Sequence, residues 1–197
     1  MAEAAPRPTL SDRLVALAHS RWLLPVLFLV QVAETTVLPL PYEAAFIALC
    51  LAARDRIWIF ITITVLGSAV GGSIIYAVGA AYFDPIVARL GVEELAATYT
   101  DRFAERGGSF IFLGGTTPAP SYLINLIAGA TGYPYGENLG IYSASRQLRF
   151  AVLGGLIYLF GEQILNAWSG LPRWLRRGLA IVLIAALVYW FVSGFSE

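Results

Sequence analysis

The sequence predicts an all-α integral membrane protein, an inverted repeat with two proline-broken re-entrant elements, about three to four full spans and amphipathic surface helices. Three observations predict this fold class. Of the 197 residues, 58% are hydrophobic and only 13% are charged, with a mean hydropathy of +0.70, whereas soluble domains average about 25% charged residues. Apolar stretches of membrane-spanning length follow one another along the chain. Two of them carry a Pro-x-Pro break at matching positions.

Composition narrows the classes of function. All 13 cationic residues are arginine, and 13 carboxylates balance them to a net charge of zero, which excludes a basic nucleic-acid face. Cys50 and His19 are each the single residue of their type, so neither a metal centre nor a cofactor is expected. Because His19 lies in the amino-terminal segment without a catalytic pattern around it, the sequence does not predict an enzyme.

The amino-terminal segment, residues 1–21, is predicted to be a helix on the membrane surface. Leu10, Leu14 and Leu17 recur at helical spacing opposite Asp12. A short helix with one apolar and one charged face is typical of the membrane interface.

Residues 22–197 are predicted to form a single transmembrane domain, whose first repeat is 22–83. Residues 22–53 are almost wholly apolar, a length between the about 20 residues that one membrane helix needs and the about 40 of two. Pro39 and Pro41 interrupt this stretch, which favours a helix, a proline break and a returning half-helix. An uninterrupted span with several glycines follows.

The second half of the domain repeats this plan after an extramembrane segment. Residues 84–108 mix apolar and charged side chains and end in Gly-Gly, which is typical of an amphipathic surface helix. The second repeat, 109–160, begins with an apolar element that Pro118 and Pro120 break in its middle. A terminal span is predicted over 173–193.

The distribution of arginines predicts the orientation in the membrane. If both broken elements are re-entrant, eight arginines lie on the amino-terminal side and three on the other; if each crosses once, the split is nine to two. Arginines collect on the cytoplasmic side. A multi-pass protein with a cytoplasmic amino terminus is therefore predicted for either number of crossings.

The two proline breaks predict an anion-binding site near the middle of the bilayer. A half-helix that starts at Pro41 or Pro120 presents unpaired backbone N–H groups and the positive end of its dipole. The alternative is that the prolines merely kink two core helices, which membrane proteins tolerate. The neutral hydrogen-bonding residues expected around the breaks are Thr35, Thr36, Thr116, Thr117, Ser121 and Asn125.

Four ionisable residues are predicted to lie at membrane depth, namely Glu34, Glu43, Arg146 and Arg149. Each buried charge costs about 2.5–3.5 kcal/mol on an insertion scale, so a use for them is expected. We expect the glutamates to exchange protons and the arginines to bind a phosphate through paired hydrogen bonds. The alternative is two structural Glu–Arg pairs that neutralise each other.

The residues around the first break resemble the DedA family, the bacterial members of the SNARE-associated or VTT-domain membrane proteins. The stretch from Glu34 to Glu43 is similar to the family's E-N-x-x-P-P-I-P-S-E box, with both acids and two prolines in register. Two further matches are a glycine-rich span and the spacing from a second proline box to Ala-Gly. They involve Gly67, Gly71, Tyr76, Gly79, Pro118, Ala128 and Gly129.

One departure from the family pattern concerns the second proline box. The arginines that flank it in the family fall on Thr116 and Ser121 here, so the sequence resembles a divergent branch that lacks them. We expect Arg146 or Arg149 to supply the missing charge.

The resemblance implies a lipid transporter of the bacterial inner membrane. DedA relatives are associated with proton-dependent flipping of undecaprenyl phosphate or other phospholipids, and eukaryotic relatives with lipid scrambling. The expected partners are lipids with an anionic phosphate headgroup, protons, and a second copy of the chain if the glycines pack between chains. The alternatives are a proton-coupled exporter of small ions or osmolytes and a non-transporting membrane scaffold.

Overall fold

The computed structural model describes residues 9–36, 42–117, 121–170, 172 and 178, and these residues form α-helices with short connections. The all-α prediction is confirmed for this part of the chain. The helices are α1 (Leu10–Ala18), α2 (Leu23–Thr36), α3 (Tyr42–Ala52), α4 (Ile57–Leu90), α5 (Glu93–Arg106), α6 (Gly108–Thr116), α7 (Ser121–Ala130) and α8 (Tyr135–Gly170), with a 3-10 turn at Arg54–Arg56.

The chain divides into two compact units, Met1–Tyr158 and Leu159–Glu197. The first unit contains α1 to α7 and most of α8, and all the residues discussed as a site lie in it. In the second unit the structure describes the end of α8 together with residues 172 and 178. The predicted terminal span, 173–193, lies outside the described residues except for residue 178.

Helix α1 begins with a capping box. The backbone N–H of Asp12 donates to the Thr9 hydroxyl oxygen, and the Thr9 backbone N–H donates to the Asp12 carboxylate over 2.9 Å. The hydrogen bonds from Thr9 hold the pKa of the Asp12 carboxyl below its usual value. Such a box satisfies backbone N–H groups that have no partner in the first turn of a helix.

The first broken element is a hairpin of α2 and α3. Its two ends lie close together, because Arg56 Nη1, just after α3, donates to the Ala18 carbonyl, just before α2, over 2.7 Å. His19 Nε2 also lies 3.7 Å from an Asp55 carboxylate oxygen. The chain therefore returns to the end at which it entered. The predicted helix-breaking residues Pro39 and Pro41 lie outside the described residues.

The second broken element, α6 and α7, is also a hairpin. Tyr133 follows α7, and its hydroxyl lies so near the start of α6 that a Cβ added at Gly108 would be 2.9 Å from it. The Tyr133 ring also packs edge-on against Phe103 at the end of α5, with 5.4 Å between centroids. This hairpin likewise begins and ends at one end. Pro118 and Pro120 lie outside the described residues.

Helix α4 connects the two hairpins. Together with the preceding 3-10 turn it spans Arg54–Leu90, and it is the one helix in the described ranges that is long and apolar enough by itself to cross a membrane. Helices α1 and α2, bent by 86°, pass the same test as a pair. The described residues thus supply one such span or up to two, against the three to four predicted for the chain. A bend at Tyr82 (φ −141°, ψ 33°) marks where the predicted extramembrane segment begins.

Glycines let α4 approach both hairpins closely. A Cβ at Gly71 would lie 2.7 Å from Thr35 Cβ of α2, and one at Gly67 would lie 2.8 Å from Gln31 Cβ. On the α7 side a Cβ at Gly79 would lie 2.0 Å from the Leu126 carbonyl oxygen. Small residues at helix contacts are typical of membrane bundles, where close packing replaces the hydrophobic effect.

Apolar side chains form two separate clusters. Cluster A joins the first hairpin to the start of α4 and consists of Ala18, Leu23, Leu27, Tyr42, Phe46, Leu49, Cys50, Ala53, Ile57, Phe60, Ile61, Phe150 and Ile157. Cluster B joins the second hairpin to the far part of α4 and to α5. It consists of Ile75, Val87, Ala96, Phe103, Phe110, Ile111, Leu123, Ile124, Leu126, Ile127, Ala128 and Tyr142.

Candidate functional site

Buried polar side chains lie along the chain's long helices between the two apolar clusters. On α4, Thr64 and Ser68 come between the cluster A residue Ile61 and the cluster B residue Ile75. Ser68 lies about 16 Å along the axis from the start of α4, roughly half of a 30 Å hydrocarbon core. We call this group the polar layer; its buried members are Gln31, Thr35, Thr64, Ser68, Ser145 and Arg146, together with Asn125 and Asn138, which lie beside cluster B residues.

Glu34 at the end of α2 forms an ion pair with Arg146 of α8. The Arg146 Nη2 atom lies 3.7 Å from Glu34 Oε2, and the two side chains are 4% and 24% exposed respectively. Gln31 Nε2 donates to the same carboxylate oxygen over 2.8 Å, and Arg146 Nε donates to the Tyr142 hydroxyl over 3.1 Å. The guanidinium is therefore enclosed, while one edge of the carboxylate remains accessible.

Glu43 in the first turn of α3 forms an ion pair with Arg149. Arg149 also donates from Nη1 to the backbone carbonyl of Thr117, at the end of α6, over 2.5 Å. This pair is more accessible than the first, with the arginine and glutamate side chains 16% and 45% exposed. Arg149 thus contacts both hairpins next to their breaks.

The four predicted ionisable residues therefore meet as two Glu–Arg pairs. Arg146 and Arg149 are three residues apart on α8, so they lie on one helix face. Their partners lie on opposite sides of the first break, because α2 ends at Thr36 and α3 begins at Tyr42. The pairing itself fits both a transport role and the alternative of structural neutralisation.

The predicted threonines use their hydroxyl protons within their own helices. Thr36 donates to the Val32 carbonyl over 2.9 Å, and Thr117 donates to the Leu113 carbonyl over 2.8 Å. Thr116 also donates to Leu113, over 3.0 Å. In this structure these three protons are therefore directed away from the breaks rather than toward an anion.

Two other predicted residues are buried inside the hydrogen-bond network of the layer. The Thr35 hydroxyl accepts a 3.1 Å hydrogen bond from Gln31 Nε2, and Asn125 Oδ1 accepts a 3.0 Å bond from Asn138 Nδ2. Ser121 begins α7, and the structure does not describe its side chain. The Thr35 and Asn125 side chains belong to the layer, and neither contact points to a bound anion.

Sequence reasoning missed several members of the layer. Gln31 is fully buried, and its Oε1 atom has no hydrogen-bond partner among the described residues; the same is true of Ser68 Oγ and Asn138 Oδ1. A buried polar atom without a partner costs about 1–3 kcal/mol, so three in one layer are unusual. Helical spacing could have identified Gln31, which precedes Glu34 and Thr35 by three and four residues.

The layer is closed on one side by Tyr42 at the start of α3. The Tyr42 hydroxyl lies 2.6 Å from the Thr64 hydroxyl of α4, and its ring packs edge-on against Phe150 of α8, 6.1 Å between centroids.

Within the described ranges, no group of three or more His, Cys, Asp and Glu side chains could hold a metal ion.

Two helical hairpins pack against one long apolar helix, and two Glu–Arg pairs lie beside the buried polar residues of that helix, an arrangement typical of a helical membrane protein. The family model described as the VTT domain matches residues 40–145, more than half of the chain. The chain belongs to this family, which includes the DedA and SNARE-associated membrane proteins, so the predicted family is confirmed. The match covers α3 to α7 and ends one residue before Arg146. Neither a curated protein nor a solved structure matches the chain.

Proposed function

We propose that this protein is a lipid flippase or scramblase of the bacterial inner membrane, with a cytoplasmic amino terminus. Its substrate is a lipid with a phosphate headgroup, such as undecaprenyl phosphate or a phospholipid. The movement of this lipid across the bilayer is coupled to the binding and release of protons. The observation that carries the proposal is the presence of two Glu–Arg pairs in a polar layer that lies about 16 Å along the axis from the starts of both α4 and α8. Membership of a membrane-associated family supports the location.

An exchange of anions on the arginines would explain why carboxylates are their partners. A phosphate group can take the place of the Glu43 or Glu34 carboxylate on the guanidinium, since each anion offers two oxygen atoms that accept a pair of hydrogen bonds from arginine. The displaced carboxylate then binds a proton, because an unpaired charge in a poorly solvated layer is costly. For a headgroup bound with one negative charge, the net charge of the layer stays constant, because one proton is taken up as the phosphate binds and is released as it leaves.

The accessibility of the carboxylates supports this exchange. Both glutamates are more exposed than their arginine partners, 24% against 4% in one pair and 45% against 16% in the other. Protons and headgroups can therefore reach the acids while the cations stay in place. The partnerless polar atoms of Gln31 and Ser68 add hydrogen-bonding capacity beside them.

The hairpin geometry supports a site reached from the membrane surface. Each hairpin enters and leaves at one end, and described residues next to its break contact the polar layer: Thr35 belongs to the layer, and Thr117 accepts the hydrogen bond from Arg149. Backbone groups freed at a break in the membrane must face protein or a water-filled space. The acyl chains of a substrate lipid would stay in the bilayer while its headgroup passes the breaks.

Reconstitution tests the proposal directly. Purified protein in liposomes is expected to accelerate the movement of a headgroup-labelled phospholipid across the bilayer, measured by the fraction of label that a membrane-impermeant reagent can reach. Glu34→Gln and Arg149→Gln are expected to slow it at least about tenfold, since each removes one partner of an ion pair. Glu94→Gln, on the exposed face of α5, is the matched control and should move lipid at the wild-type rate.

Other outcomes would favour the alternatives. No acceleration over empty liposomes, together with solute uptake that Glu34→Gln abolishes, would replace lipid with a small ion or osmolyte. Intact cellular function of folded Glu34→Gln and Arg149→Gln variants would favour a scaffold without transport.

A further inference from the structure

A cavity of about 740 Å³ lies between α5 and the second hairpin, outside the polar layer. One wall is the solvent-facing side of α5, and the other is formed by α6 and the start of α7, including Leu113 and Ile124. Thr117 also lines it, and the Thr117 carbonyl accepts the hydrogen bond from Arg149. The cavity therefore lies one residue away from the second Glu–Arg pair.

The α5 wall carries two charged stripes of opposite sign. Asp101 and Glu105 are four residues apart, about 6 Å along the axis, and so are Arg102 and Arg106. All four side chains are exposed, and none forms an ion pair with another residue that the structure describes. Like charges at this spacing disfavour a helix slightly, and the opposite charges of Arg102 and Glu105, three residues apart, offset part of that cost.

The opposite wall is apolar. Phe110, which is buried, and Leu113, which is 47% exposed, both line the cavity. The cavity thus has acidic, basic and apolar surfaces side by side. A ligand that fits all three carries a negative group, a positive group and a hydrocarbon chain.

We propose that this cavity binds a zwitterionic phospholipid, with the phosphate on Arg102 and Arg106 and the ammonium group on Asp101 and Glu105. The first part of its acyl chains lies along Leu113. A purely anionic lipid would meet the repulsion of the two carboxylates, so the acidic stripe favours a headgroup that also carries a cation. Lipid binding in this cavity does not depend on the proposed function. The one step that rests on it is the passage of the headgroup from this cavity to Arg149.

Lipid retention tests the binding without requiring transport. Full-length protein in detergent is equilibrated with equimolar phosphatidylethanolamine and phosphatidylglycerol, repurified, and its bound lipid is measured by mass spectrometry. The wild type is expected to retain phosphatidylethanolamine in preference. Asp101→Asn with Glu105→Gln should reverse the preference, and Arg102→Gln with Arg106→Gln should reduce retention of both lipids about fivefold.

Matched controls separate this site from general charge effects. Glu93→Gln with Glu94→Gln removes the same charge from the exposed first turn of α5, and Arg89→Gln removes an exposed arginine at the end of α4. Both should retain lipid as the wild type does. Equal retention and equal preference in all folded variants, judged by unchanged helical circular dichroism, would overturn the proposal.

The two proposals can fail separately. If the wild type moves no lipid in liposomes but its retention depends on the four cavity residues, the cavity binds lipid and the transport function is wrong. If the wild type moves lipid and Arg102→Gln with Arg106→Gln leaves both the rate and the headgroup preference unchanged, the cavity is not the entry site.

Discussion

The two arginines of the site have different surroundings, although they lie one helical turn apart. Arg146 is 4% exposed and is held by Glu34 and Tyr142. Arg149 is 16% exposed, and its partner Glu43 is nearly half exposed. A buried ion pair costs more to break than an exposed one, because the remaining charge has no solvent to replace its partner.

Double-mutant cycles on the two pairs should show this difference. Glu34→Gln and Arg146→Gln are expected to be coupled by about 1–3 kcal/mol of unfolding free energy. Glu43→Gln and Arg149→Gln should be coupled by less than about 1 kcal/mol, since water screens that pair. The measurement is chemical unfolding of the purified protein in detergent. Equal coupling in both pairs would contradict the burial argument.

Charged residues of the site could be predicted from sequence more readily than neutral ones. A glutamate or arginine within an apolar run has a high free-energy cost of membrane insertion, and this cost indicates a role for Glu34 and Arg146. Gln31 and Ser68 carry no charge; the spacing of Gln31 from Glu34 is a signal for the first, and Ser68 has no charged neighbour at helical spacing. The pairing of Glu34 with Arg146 rather than Arg149 depends on α8 packing, which spacing alone does not provide.

The proline breaks predicted two interrupted helices, but they do not show whether the chain crosses the membrane or turns back after each break. Whether an interrupted helix crosses or returns depends on where its ends meet. For the first hairpin that information lies in the contact between Ala18 and Arg56, 38 residues apart. The length of the apolar stretch favoured a chain that returns to the side at which it entered. The contact between Arg56 and Ala18 shows that it does.

Helix α8 extends beyond its predicted end. The second repeat is predicted over 109–160, and the helix that contains its last residues continues through Glu162 to Gly170. A charged residue does not end a helix, because it can face water while the backbone hydrogen bonds continue. Pro172, two residues beyond Gly170, fits the usual composition after a helix end.

The contact between α4 and α7 should depend on Gly79. In Gly79→Ala the new methyl group would overlap the Leu126 carbonyl, so the helices must move apart, at a cost of about 1–3 kcal/mol. Gly155→Ala in α8 is the control, since nothing lies within 4 Å of its added Cβ, and it should be neutral or stabilising by up to about 1 kcal/mol. Thermal unfolding in detergent measures both. A Gly79→Ala protein as stable as Gly155→Ala would contradict the contact.

At the scale of the whole molecule, the hairpins and α4 together predict which loops share a side of the membrane. If the first hairpin is re-entrant and α4 crosses once, Asp55 lies on the amino-terminal side and Glu94 on the other. Cysteines at these exposed positions can be labelled with an impermeant maleimide, while wild-type Cys50 is fully buried and serves as the unlabelled control. In intact cells Glu94→Cys should react and Asp55→Cys should not. Labelling of Asp55→Cys from outside would show that the first element crosses.

The position of the polar layer has an electrical consequence. Because apolar clusters A and B lie on either side of it, the transmembrane voltage falls across two low-dielectric stretches with the ion pairs between them. A charge that moves from one surface to the layer then experiences about half of the voltage, about 1.2 kcal/mol per 100 mV. A half-step in which the phosphate and the proton enter from opposite surfaces should therefore respond to membrane potential, and one in which both enter from the same surface should not.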